Sequence, residues 1–407
     1  MNDHTAMNAT NASTDAMLAT GLPRWLTLLL ATACGLIVAN IYYAQPLAGP
    51  IAAAIGLPAR SAGLIVTMSQ IGYGAGLLLV VPLGDLIETR RLVLAIIAAG
   101  TLALLAAAFS THAGPFLLAS LFIGVGSVAV QVLVPYAAHL APEAMRGRVV
   151  GNVMSGLMLG IMLSRPVASV IDDLSSWHAV FAISAAVMVA LGVVLRLALP
   201  RRQPPPGPSY GALLVSMVGL VRHTPVLRRR AVYHAFLFGG FSLFWTTVPL
   251  LLAQTYHLSQ TGIAIFALVG VAGAISAPLA GRAADRGWSR PATGLAILGT
   301  ACAFLAMQAG AGGSSAGLVL LGACAVLLDF AITANLVLGQ RAIFSIGAHA
   351  RSRLNGLYMA TFFCGGAAGS ALGGWAFARG GWSLTCWLGL ILPAMALLYF
   401  LTERSRD

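Results

Sequence analysis

The chain has 407 residues, of which 59% are hydrophobic and 8% are charged, and its formal net charge is +12. Soluble globular domains carry about 25% charged residues, so this composition excludes a soluble enzyme, a nucleic-acid-binding protein and a receptor with a single anchor. Twelve spans of about 20 residues would take about 240 positions and leave about 167 for loops and tails. The chain is therefore predicted to cross a membrane many times.

The chain begins with a polar stretch, residues 1–22, which lacks the positive and apolar regions of a signal peptide and is interpreted as a disordered cytoplasmic tail. Further on, the long uncharged runs 92–142 and 231–281 each contain a turn signal that divides them in two. In all, twelve apolar segments are predicted. They lie at about 25–53, 61–83, 92–110, 115–141, 149–171, 177–197, 231–254, 261–283, 292–310, 315–343, 353–377 and 381–401.

The positive charges are all arginines and are distributed unevenly between the two ends of the predicted segments. Of the 23, 19 fall on the side of the chain termini, and only Arg60 and Arg379 fall on the opposite side. Arg165 and Arg341 lie inside segments. Because cytoplasmic loops of membrane proteins are rich in arginine and lysine, both termini are predicted to be cytoplasmic.

The chain divides into two similar halves. Residues 1–22 form the tail, 23–198 and 231–407 form two bundles of six segments, and the basic, proline-rich stretch 199–230 is a cytoplasmic linker. Asp85 recurs 200 positions later as Asp285, each followed by arginines, which favours a duplication. The predicted fold is all-α, with twelve transmembrane helices in two pseudo-symmetric six-helix bundles, as a rocking transporter requires.

Two motifs carry a resemblance to a known family. Gly281–Gly287 resembles the G-x-x-x-D-R-x-G-R-R loop signature of the major facilitator superfamily, and its first copy, Pro82–Arg91, departs from that signature. Asn40–Leu47 is similar to a signature of one bacterial branch of that superfamily, whose members resemble drug:proton antiporters. The resemblance implies the major facilitator fold, a monomer and a location in the bacterial inner membrane.

Two departures from antiporter motifs leave proton coupling open. Many drug exporters of the superfamily carry an arginine in segment 4, four residues before a glycine, where this chain has Ser120 before Gly124. In segment 5, Gly156–Gly160 and Ser164–Pro166 match the antiporter run G-x-x-x-G-P-x-x-G-G only in part.

Polar residues are concentrated in the middle of the segments, where a transporter binds its substrate. At 1.5 Å per residue, they fall in the middle third of segments 1, 4, 5, 7 and 10. Asp329 is the sole acid deep in a segment and is predicted to couple protons to transport. The predicted substrate cavity comprises Asn40, Tyr43, Gln131, Arg165 and Trp245.

Each of these residues also has a packing alternative. Residues such as Asn40 and Gln131 more often bridge segments than contact substrate, and the aromatic residues are equally suited to ordinary packing. Arg165 either holds an anionic substrate or pairs with Asp329 or with backbone carbonyls of segment 10. His234, one turn inside segment 7, is interpreted as an interface residue rather than part of a proton path.

A cytoplasmic gate is implied by the resemblance. Asp85 and Asp285 should each contact the start of segment 11 or 5 across the two halves, and the alternative is that these charges only set topology. The gate residues are Asp85, Arg90, Arg91, Arg146, Asp285, Arg286 and Arg351.

Glycines repeat every four residues at Gly72 and Gly76 in segment 2 and at Gly365, Gly369 and Gly373 in segment 11. Such stripes let helix backbones approach closely. The family resemblance places segments 2 and 11 face to face, so the stripes are predicted to lie between the halves, either as static packing or as a sliding surface.

The leading functional hypothesis is a secondary-active transporter that exports a small organic compound in exchange for protons. The alternative is a transporter of an anionic metabolite with Arg165 as the substrate ligand. The chain lacks a nucleotide-binding G-x-x-x-x-G-K-[ST] loop and any constellation for enzyme chemistry. Neither a cofactor nor a metal nor a nucleic acid is predicted; the expected partners are the substrate, protons and the lipid bilayer.

Overall fold

The computed structural model of the protein describes residues 23–142, 145–204, 209–346 and 351–403, and the regular structure in these ranges is helical throughout. Nine helices in this part of the chain are long and apolar enough to span a membrane. One of them, Arg351–Leu401, leaves helical geometry at Gly380 and Gly381, and so forms two segments. Gly381 has a φ of +60°, a conformation that glycine adopts without strain.

When each interrupted helix is counted as one segment, the described ranges contain the twelve predicted segments. In chain order the helices are Arg24–Ala39 with Ala48–Ala54, Gly63–Leu79, Thr89–Ala108, Ala113–Ser127 with Ala129–Leu140, Arg146–Leu174, Trp177–Ala198, Pro225–Gln254, Gln260–Ala267 with Ser276–Asp285, Ser289–Met307, Ser315–Phe344 and the two parts of Arg351–Leu401. These segments form the two six-helix halves of an all-α membrane protein.

The connection between the halves contains a helix that the sequence prediction left out. Tyr210–His223 is helical, and the backbone N–H of Ala212 donates to the Oγ of Ser209 at its N-terminus. Segment 7 begins at Pro225 rather than at residue 231. Proline is well suited to the first position of a helix because its missing N–H would be unpaired there anyway.

Segments 1 and 8 were predicted as continuous helices, and this was wrong. Segment 1 leaves the helix at Asn40 and resumes at Ala48, and segment 8 passes through a 3-10 stretch, Leu268–Ile275. Pro46 favours the first break because it has no N–H for a helical hydrogen bond. Irregular backbone at membrane depth is tolerated where protein covers it, so both breaks indicate central, covered positions.

The glycine stripes pack inside each half, so the prediction that they lie between the halves was wrong. A Cβ atom on Gly72 would collide with the carbonyl of Leu121 in segment 4, and one on Gly369 with the carbonyl of Gly239 in segment 7. Because glycine has no side chain, neighbouring helices of the same half can pack closely at these positions.

The two halves contact each other through segments 2 with 11, 2 with 7 and 5 with 8. The hydroxyls of Thr67 and Ser370 are 2.8 Å apart, and the Nε2 of Gln70 donates to the Oγ of Ser242 at 2.7 Å. At the end opposite the arginine-rich one, the hydroxyl of Thr261 in segment 8 donates to Asp173 in segment 5.

Candidate functional site

A buried arginine lies between the two halves. Arg165, in segment 5, is 3% exposed, and its Nε donates to the Oε1 of Gln45 at 2.8 Å. Its guanidinium carbon lies 4.4 Å from the ring centroid of Trp245, 5.2 Å from that of Tyr42 and 5.5 Å from that of Phe241. Aromatic faces attract cations electrostatically, so these three rings stabilise the buried charge.

A buried carboxylate accepts a hydrogen bond from the N–H of the same indole. The Nε1 of Trp245 donates to the Oδ2 of Asp329 at 3.1 Å, and Asp329 is 8% exposed. Among the described side chains, no guanidinium nitrogen lies within 4.0 Å of Asp329. The direct pairing of Arg165 with Asp329, which the sequence left open, is therefore absent, and Trp245 connects the two groups instead.

Gln45, Arg165, Trp245 and Asp329 together form what we call the central network. It runs from segment 1 through segments 5 and 7 to segment 10, and so crosses from one half to the other. Three of its four members were predicted from sequence as central polar or aromatic residues.

The local sequence explains how the backbone brings these side chains together. Gln45 lies in the non-helical stretch of segment 1, immediately before Pro46. In segment 8, Gly270 and Gly273 let the 3-10 stretch lie directly on the network. A Cβ atom on Gly273 would come within 2.9 Å of the Cβ of Asp329, and one on Gly270 within 3.2 Å of the Trp245 ring.

The other predicted cavity residues lie outside the central network. The Oδ1 of Asn40 accepts a hydrogen bond from Ser184 at 2.5 Å, which joins segment 1 to segment 6 within one half. The Nε2 of Gln131 donates to the hydroxyl of Tyr73 in segment 2 at 3.0 Å. Tyr43 is half-buried and packs against the hydrophobic core. Asn40 and Gln131 thus bridge segments, as their packing interpretation described.

Sequence reasoning missed Gln45 as a separate contributor. The available signal was a polar side chain followed by proline inside an apolar run. It also placed His234 one turn inside segment 7, whereas the helix begins at Pro225 and His234 lies more than two turns inside it. His234 is fully buried between the rings of Tyr358 and Phe362, and its Nδ1 lies 2.8 Å from the Nδ2 of Asn335.

The predicted gate residues lie at the arginine-rich end, and the described contacts stay within one half. Asp285 pairs with Arg341 of segment 10 rather than with the start of segment 5. Arg90 donates to the carbonyl of Leu199 at 3.2 Å. Arg146 donates to the carbonyl of Ala138 at 3.0 Å.

The remaining gate residues add no hydrogen bond or ion pair between the halves within the described side chains. Asp85 is exposed, and Arg91 pairs with Glu88 at 2.9 Å. The guanidinium of Arg286 lies 5.8 Å from the ring of Trp288. The side chain of Arg351, the expected partner of Asp85, lies outside the described side chains.

Comparison with known proteins supplies independent evidence. The sequence model of the Major Facilitator Superfamily matches residues 28–343. An uncharacterized transporter of Escherichia coli O157:H7, YgaY, is 38% identical over 374 residues, which are 92% of this chain and 94% of that protein. A chloramphenicol efflux pump of Mycobacterium tuberculosis is 30% identical over 257 residues, 61% of this chain and 60% of the pump.

The fold also resembles solved structures. A bacterial homologue of the human lysosomal transporter Spinster, in an inward-facing and unoccupied conformation, superposes with a TM-score of 0.71 at 14% sequence identity. The superposition covers 93% of this chain and 96% of that one.

Proposed function

Given that the chain belongs to the major facilitator superfamily, a family of membrane transporters and not of enzymes, we propose that it exports a small organic compound in exchange for protons. Transport of this kind alternates the access of a central site between the two sides of the membrane. We further propose that the arginine-rich end faces the cytoplasm, that the predicted linker, shortened to residues 199–224 by the earlier start of segment 7, joins the two bundles, and that the membrane is the bacterial inner membrane.

The central network is the observation that carries this proposal. Arg165 belongs to one half, whereas Trp245 and Asp329 belong to the other. A rocking motion that separates segment 5 from segment 7 would pull the guanidinium off the indole and open the carboxylate to the cavity. The network therefore couples the ionic surroundings of Asp329 to the conformation of the transporter, which proton exchange requires.

The experiment tests Asp329→Asn in everted membrane vesicles. The substrate is first identified by export from cells against a panel that starts with chloramphenicol, because one relative is a chloramphenicol efflux pump. With a pH gradient imposed, we expect Asp329→Asn to abolish concentrative transport while counterflow exchange continues, because asparagine cannot release a proton.

The matched control is Asp172→Asn, which removes a carboxylate from the end of segment 5, away from the central network. It should transport normally at equal expression. Full gradient-driven transport by Asp329→Asn would contradict the assignment of Asp329 as the proton carrier.

A second candidate function is transport of an anionic metabolite with Arg165 as its ligand. The Nη2 of Arg165 is buried and has no hydrogen-bond acceptor among the described residues, which favours this candidate. A pH-independent transport of an anion by both the native protein and Asp329→Asn would support it over proton exchange.

A further inference from the structure

Two hydrogen-bond donors of the central network are buried and unpaired within the described part of the chain. They are the Nη2 of Arg165 and the Nε2 of Gln45. Both belong to side chains joined by the 2.8 Å bond between the Nε of Arg165 and the Oε1 of Gln45. A buried donor without an acceptor is costly, so two at one place indicate a position that an acceptor occupies during the working cycle.

The chemistry of the guanidinium specifies which acceptor fits. Its Nε and Nη2 point the same way from a rigid plane, and their spacing matches the two oxygens of a carboxylate. Here an amide oxygen meets only the Nε. An amide offers one acceptor and one donor, so the side chain of Gln45 cannot satisfy both nitrogens as a carboxylate would.

The surroundings of Arg165 are otherwise apolar. The cavity that Arg165 lines is small in this conformation, about 10 Å³, which is room for one water molecule. Its walls are Pro46, Val248, Leu252, Ile263 and Phe266, together with the indole of Trp245. Pro46 comes from one half and the other four residues from the other half. A compound held by Arg165 at this place would have to carry a hydrophobic body next to its acceptor group.

Asp329 sets a limit on the charge of that compound. Its carboxylate is hydrogen-bonded to the N–H of Trp245 and interacts electrostatically with Arg165. A second negative group on the ligand would be repelled at this range in a medium of low dielectric constant.

We infer that the transported compound is a hydrophobic monocarboxylate, whose carboxylate takes the two unpaired donors while its apolar body lies against the apolar walls of the adjoining cavity once the two halves move apart. The inference rests on the proposed transport function and names the substrate class of its site. The carboxylate shares the guanidinium with the amide of Gln45, so the hydrogen bond from the Nε of Arg165 to the Oε1 of Gln45 is kept.

The test measures the thermal stability of the purified full-length protein in nanodiscs with matched ligands. The probes are hexanoate, benzoate and 2-naphthoate, the neutral amide of each, and the dicarboxylate phthalate. We expect at least one acid to raise the Tm, at a concentration at least tenfold below that needed for its amide, and phthalate to act more weakly than benzoate. The inference is overturned if an amide raises the Tm at the same concentration as its acid, or if no acid raises the Tm.

Gln45→Glu provides the decisive variant, because it supplies within the chain the carboxylate that the site otherwise takes from a ligand. The Tm without ligand should stay or rise, and the response to the effective acid should weaken at least tenfold. Gln308→Glu, at a half-buried glutamine near the end of segment 9, should keep the native response. If Gln45→Glu raises the Tm but the native protein binds no acid, the two donors bind a water only, and the inference is overturned.

Transport in proteoliposomes separates this inference from the proposed function. Selective binding of an acid without any effect of a pH gradient on its transport would refute proton exchange and leave the substrate class intact. If a pH gradient drives transport of a neutral compound and the protein does not distinguish acids from amides, the substrate class is refuted and proton exchange is kept.

Discussion

Trp245 makes two different contacts, one through the face of its ring and one through its N–H. The face lies against the guanidinium of Arg165, and the N–H donates to Asp329. The residue is 2% exposed, so neither contact competes with solvent. Substitution by phenylalanine separates the two roles, because it keeps an aromatic face and removes the donor.

Trp245→Phe is predicted to lower the transport rate at least about tenfold, since a hydrogen bond to a charged group contributes about 1.5–3 kcal/mol. Trp382→Phe is the matched control. It removes another buried indole donor, which bonds to the carbonyl of Met307 at 2.9 Å, and should cost stability without changing transport per folded molecule. Equal transport losses in the two variants would contradict a specific role for the bond to Asp329.

The residue types at the centre of the protein were predictable from sequence, but their contacts were not. Arg165, Trp245 and Asp329 were identified because charged and polar groups deep in apolar segments are rare and costly. The partners of Asn40 depend on the direction in which its side chain leaves the helix. That direction changes by about 100° per residue and is lost where the helix breaks, as it does at Asn40.

The interrupted stretch of segment 8 packs more closely on the central network than a regular helix with side chains could. Gly273 leaves no space for a methyl group beside Asp329. The sequence showed two glycines three residues apart in an apolar run, a pattern that does not distinguish a 3-10 stretch from a helix. Hydrophobic periodicity therefore located all twelve segments but not the breaks in segments 1 and 8.

Gly273→Ala is predicted to lower both the Tm and the transport rate, because overpacking costs about 1–3 kcal/mol and displaces Asp329. Gly322→Ala in segment 10 is the control, since a Cβ atom there meets no atom within 4 Å. Alanine at that position should leave the stability unchanged or increase it by up to about 1 kcal/mol. If Gly273→Ala changes neither the Tm nor the transport rate, both measured in the same membranes, the proposed packing constraint is ruled out.

At the scale of the whole molecule, the distribution of arginine predicts the orientation in the membrane. The even number of segments puts the linker and both termini at one end, together with 19 of the 23 arginines. Charge in short loops controls the direction of insertion, so this end should remain in the cytoplasm. The start of segment 7 was harder to predict, because Arg228, Arg229 and Arg230 look like a loop. They nevertheless lie within the helix that carries His234 into the core.

The orientation is tested by labelling single cysteines in a variant without the native ones. A cysteine at Ser209, an exposed position in the linker, should not react with a membrane-impermeant maleimide added to intact cells. A cysteine at Ala59, exposed between segments 1 and 2, should react. The opposite labelling pattern would invert the proposed topology and, with it, the direction of export.

The position of Trp245 between the halves also makes it an intrinsic optical reporter. Of the seven tryptophans, Trp245 contacts side chains from both halves, whereas Trp177 and Trp382 pack within one half each. Indole emission moves to longer wavelengths when the surroundings become wetter, and a nearby guanidinium alters its intensity. Each opening of the transporter should therefore change the fluorescence of the unlabelled protein, and variants that retain only this tryptophan would let single turnovers be followed in time.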